Sequence, residues 1–97
     1  MSRERLPNRR AAELIDLEYA GQRWTASFSR FPDGRLAEIF VHAVKDSALL
    51  ALAQEGAIIA SICLQFGAPA SVIRHALAGR DTGPIATAMA LIDGATP

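Results

Sequence analysis

Between residues 15 and 19 apolar and acidic positions alternate: Ile15, Leu17 and Tyr19 fall on one side, Asp16 and Glu18 on the other. A period of two marks a half-buried strand. After a break at Ala20-Gly21-Gln22, a second alternation sets Trp24, Ala26 and Phe28 against Thr25, Ser27 and Ser29, in residue types that favour strands. Pro32-Asp33-Gly34 reads as a turn, because proline presets φ at the first corner and glycine accepts the positive φ that follows. Residues 36–44 make a third strand, apolar except for Glu38 and His42. Three strands joined by short turns predict an antiparallel meander.

Past Lys45 the period lengthens. Asp46 or Ser47 is placed to cap a helix that runs through Ala, Leu and Ile to Phe66 and stops at Gly67. Gly56 inside this helix is about 1 kcal/mol less favourable than alanine, which points to a close approach to the sheet or to another helix. Pro69 suits the first turn of a second helix, which continues through Val72, Ile73, Ala76 and Leu77 to a stop at Gly79. Pro84 opens a third helix, with Ile85, Met89 and Ile92 on one side and an end near Gly94. The expected fold is α+β: a three-stranded antiparallel β-meander followed by one long and two short helices.

Between Ala48 and Phe66 the only formal charge is Glu55, so the long helix is apolar almost all round and needs cover on more than one side. A small domain has few elements to supply that cover. The expectation is a homo-oligomer, a symmetric dimer or a tetramer of dimers, with this helix or the neighbouring sheet edge in the interface. Gln54, Glu55, Ser61 and Gln65 interrupt the run enough that a membrane span is not expected.

With 97 residues the chain has room for one domain. Residues 1–10 read as a basic N-terminal arm, with Arg3, Arg5, Arg9 and Arg10 around Pro7, and residues 11–97 as a single α+β domain. The arm is either a solvated terminus or a segment that docks on an acidic partner or on phosphate. Formal net charge is zero, so the molecule as a whole calls for neither nucleic acid nor a membrane surface. A single cysteine, Cys63, forms no intramolecular disulfide and fits a reducing, cytoplasmic setting. No hydrophobic run follows Met1-Ser2-Arg3-Glu4-Arg5, so a secretory signal is not expected.

Candidate chemistry is sparse. Cys63 lies in the apolar helix without a basic neighbour in sequence, and is expected to be buried and unreactive. His42 and His75 make no metal site unless an acidic residue joins them across the fold. Gly79-Arg80-Asp81-Thr82-Gly83-Pro84 precedes a helix start and reads either as a plain connection or as a place for an anion. The most polar cluster is Arg30, Asp33, Arg35 and Glu38 around the second turn, a structural ion-pair group or a recognition site. With Arg80 these are the candidate ligand or interaction residues. No residue is assigned to catalysis, to a metal or to a cofactor.

Several segments resemble one known family: Leu6-Pro7-Asn8-Arg9-Arg10, then Ser29-Arg30-Phe31-Pro32-Asp33-Gly34-Arg35-Leu36-Ala37-Glu38-Ile39-Phe40, and Leu64-Gln65-Phe66-Gly67-Ala68-Pro69. Arg74-His75-Ala76-Leu77 and Gly83-Pro84-Ile85 complete the set. Together they resemble the TSCPD domain, found at the C-terminus of adenosylcobalamin-dependent ribonucleotide reductases and as small stand-alone bacterial proteins. The likeness covers nearly the whole chain, and residues 30–40 carry its most specific part. At the naming motif this chain reads Asp81-Thr82-Gly83-Pro84-Ile85, with glycine in the cysteine position and isoleucine in the aspartate position, so no thiol or metal role carries over. The resemblance implies a non-catalytic accessory or regulatory interaction domain linked to deoxyribonucleotide synthesis, with a ribonucleotide reductase or another protein as partner. The second function class is a small-molecule or nucleotide-binding regulator using Arg30, Arg35 and Arg80. A pocket lined by arginines supports the regulator, and a broad apolar surface supports the interaction domain.

Overall fold

The structure, a computed structural model, describes residues 2–8, 11–45, 47–78 and 83–94. Strands β1 (Glu13–Tyr19), β2 (Gln22–Arg30) and β3 (Leu36–Ala43) form an antiparallel sheet in the order β1-β2-β3. Helices α1 (Ala48–Gln65), α2 (Ala70–Leu77) and α3 (Pro84–Gly94) follow, giving the expected α+β architecture. The register pairs Leu17 with Trp24, Ala26 with Val41 and Phe28 with Ile39, which brings the apolar set of all three strands onto one face. Trp24, Ala26 and Ile39 are wholly buried there. Ala20 and Gly21, at φ 54° and 75°, make the tight turn between β1 and β2. Gly34 has φ 94° and nothing near the position of a β-carbon, so backbone conformation rather than space requires glycine. The third strand ends at Ala43, and Val44 beyond it is 96% exposed.

The Ser47 hydroxyl caps α1 by accepting from the Leu50 N–H at 3.1 Å, and Gly67 at φ 108° turns the chain after it. The alternative cap, Asp46, lies outside the described residues. By length and composition α1 is apolar enough to cross a bilayer. In this domain it lies along β3 and buries Leu50, Ala53, Ala57, Ala60, Ser61, Leu64 and Gln65. The two polar members of that stripe explain themselves. Ser61 Oγ accepts from the Ile39 N–H at 2.9 Å, and its own proton is shared between the Ile39 and Ala57 carbonyls at 2.9 and 2.8 Å. Gln65 Nε2 donates to the Ala37 carbonyl at 3.1 Å. β3 is an edge strand, and these bonds occupy backbone groups that its neighbour cannot reach.

α3 crosses the sheet at β1 and delivers Ala88, Met89 and Ile92 to the core, while α2 rests on α3 with no fully buried residue. Gly56 faces α3, but a β-carbon there would stand 3.5 Å from Ile85 Cγ1, an ordinary contact and not the close approach expected. Cys63 is exposed, contrary to the expectation that it is buried. It precedes Leu64 by one residue, and a rotation of about 100° carries it off the sheet-facing stripe. The N-terminal arm docks on the end of α1: the Glu4 N–H donates to the Gln65 carbonyl at 2.7 Å, and Arg3 Nε donates to Gln65 Oε1 at 2.6 Å.

Candidate functional site

The turn between β2 and β3 builds an arginine cluster from local bonds. The Phe31 N–H donates to the Arg35 carbonyl at 2.8 Å and the Gly34 N–H to the Phe31 carbonyl at 2.9 Å, which closes the turn. Asp33 accepts from the Arg35 backbone N–H at 3.1 Å and from Arg35 Nε at 2.7 Å. The backbone bond, then the side-chain bond, hold the Asp33 carboxyl below its ordinary value. The same contact, helped by Glu4 at 3.1 Å from Arg35 Nη2, raises the Arg35 guanidinium further. The Arg35 guanidinium also stacks 4.6 Å from the Phe31 ring centre. Arg30 donates to the Gly34 carbonyl at 3.0 Å, lies 5.5 Å from the Phe28 ring centre and stands 3.9 Å from Glu13.

Arg30, Asp33 and Arg35 are thus brought together, as the spacing around the turn implies. Glu38 is not. It pairs with Ser29 on the opposite face of the sheet, buried and engaged, beside Arg3, Arg5 and Asn8 of the arm. Counting the alternation from buried Ile39 places Glu38 there, so the sequence did carry that signal. Arg80 lies outside the described residues. The structure adds Arg74, which α2 brings to the same cleft as Arg30 and Arg35 and which pairs with Asp93 of α3. Only the tertiary return of α2 toward the turn reveals it. Among the described residues no three of His, Cys, Asp and Glu gather as metal ligands.

A second surface lies on the far side of α1. Leu52, Ile58, Ile59, Ile62 and Phe66 point outward, with exposures from 37% at Ile62 to 66% at Leu52. Leu52, Glu55, Ile59, Ile62 and Phe66 recur at the three- and four-residue steps of a helix-packing seam. Beside Leu52, an apolar groove of about 290 Å³ opens between α1, Leu77 of α2, and Pro84 and Ile85 of α3. Compared with protein-family models, with curated proteins and with solved structures, the chain finds no match.

Proposed function

We propose that this chain is a non-catalytic interaction module that associates with a second copy of itself through the outer face of α1. One observation carries the reading. α1 buries Leu50 and Leu64 with a row of small side chains, Ala53, Ala57, Ala60 and Ser61, against the sheet, and turns five further large ones, Leu52, Ile58, Ile59, Ile62 and Phe66, outward. The hydrophobic effect drives large side chains out of water most strongly, so this distribution suits a helix with a second apolar neighbour. The adjoining groove gives the surface both a ridge and a recess, the self-complementary relief that a twofold interface uses. The resemblance to the TSCPD domain extends the proposal: the module serves, in the cytoplasm, as an accessory or regulatory partner of a ribonucleotide reductase.

Light scattering across micromolar concentrations tests the association. The natural chain is expected to be a dimer or larger, and Ile59→Glu with Ile62→Glu to be a folded monomer by circular dichroism. Cys63 sits on the same exposed side of α1, so its labelling by a thiol reagent should slow as concentration rises, and only in the natural chain. A natural chain that stays monomeric, stays soluble and labels at one rate throughout overturns the self-association. Capture of a ribonucleotide reductase from cell extract, lost in the double variant, supports the wider role.

A further inference from the structure

The cleft between the β2–β3 turn and α2 combines two chemistries. Its polar side holds Arg30 and Arg35 from the β2–β3 turn and Arg74 from α2, and Asp93 is the one carboxylate among the described residues that line it. Its floor is apolar, made by Leu36, Leu64, Met89 and Ile92. The volume is about 250 Å³, enough for a small molecule but not for a dinucleotide. Three guanidinium groups border this one small cleft, each paired with a carboxylate: Arg30 with Glu13, Arg35 with Asp33 and Glu4, and Arg74 with Asp93.

Arg35 is positioned from outside the cleft and Arg74 from its rim. Asp33 and Glu4 hold Arg35 through Nε and Nη2, and Asp93 holds Arg74 through Nη1. None of Asp33, Glu4 and Glu13 lines the cleft. A guanidinium carries N–H donors on all three nitrogens, so Arg35 Nη1 and Arg74 Nη2 keep donors that these contacts do not use. Side-chain exposures of 25%, 52% and 40% for Arg30, Arg35 and Arg74 leave the groups partly screened from water yet reachable. Groups held in advance lose less freedom when a ligand arrives.

We propose that this cleft binds a small phosphate monoester, the phosphate held by Arg30, Arg35 and Arg74 and the organic body resting on Leu36, Leu64, Met89 and Ile92. A phosphate monoester is close to a dianion at neutral pH, and it takes paired N–H donors from arginine along its oxygen edges. Three guanidiniums supply N–H donors that match the three terminal oxygens of a phosphate better than the two of a carboxylate ligand. This inference is independent of the α1 surface, which lies on the other side of that helix.

Phenyl phosphate is the probe, followed by amide NMR on the natural chain. Saturable shifts centred on Gly34, Gly67 and Ala70 are expected, weakening as salt is raised. Arg74→Gln and Arg35→Gln, on different elements, should each weaken binding by about tenfold or more, while Arg23→Gln on the outer sheet face leaves it unchanged. Benzoate, with the same ring and one charge, should bind more weakly than phenyl phosphate, and inorganic phosphate alone more weakly than the ester. No saturation by about 10 mM phenyl phosphate, equal loss in Arg23→Gln, or tighter binding of benzoate overturns the proposal.

Discussion

Asp33 shows how much one side chain does when its partners lie two residues away. It accepts from both the amide and the guanidinium of Arg35, so its charged form is favoured in the folded chain. A carboxyl lowered on folding contributes stability above its unfolded value, and that contribution fades as pH falls through the lowered folded value. The group is exposed, so the effect is local. Carbon NMR titration should give an Asp33 midpoint below the ordinary aspartate value of 3.8. In Arg35→Gln the midpoint should rise only part of the way, because the backbone amide, the larger influence, still donates. Ser61 acts in the opposite environment. Its hydroxyl serves both the N–H and the carbonyl of Ile39 in a buried setting, so Ser61→Ala leaves those groups without their partner. A loss of about 1–3 kcal/mol is expected in urea unfolding. An unchanged midpoint would mean that water replaces the hydroxyl.

At the scale of elements, α1 carries a defect that can be repaired. Gly56 keeps an ordinary helical backbone, and the site has room for a methyl group against Ile85. Gly56→Ala should therefore stabilise the domain by about 0.5–1 kcal/mol, read as a rise in melting temperature. The strands were the most legible part of the chain. Alternation fixed which face of β1 and β2 is buried, and Pro32-Asp33-Gly34 placed the turn. The orientation of α1 was not legible, because a helix apolar on every side gives no direction to its burial. Cys63 is exposed rather than buried for that reason, and Ser61 and Gln65, interruptions in the apolar run, are the residues of α1 that hydrogen-bond to β3. The arginine cluster was legible only where sequence neighbours build it. Arg30 and Arg35 flank one turn, whereas Arg74 joins them through the packing of α2 and α3, which no local pattern encodes.

The whole molecule is a sheet with helices on one face, and its last helix returns to its first strand. α1 follows β3 directly and packs on it, so that unit is assembled from contacts short in sequence. α3 instead packs against β1, the strand farthest from it along the chain, and its Ala88, Met89 and Ile92 are almost wholly buried. That arrangement has a kinetic consequence. Closing a long loop costs entropy before its contacts repay any of it, so β2, β3 and α1 should form the folding nucleus and α3 should dock late. Met89→Ala, expected to cost about 2–5 kcal/mol, should then appear in stopped-flow measurements chiefly as faster unfolding. Ala57→Gly in α1 should chiefly slow refolding. If both variants slow refolding instead, docking of α3 is part of the rate-limiting step. In the expected case the domain's lifetime is set by its last helix, although its sheet is built without it.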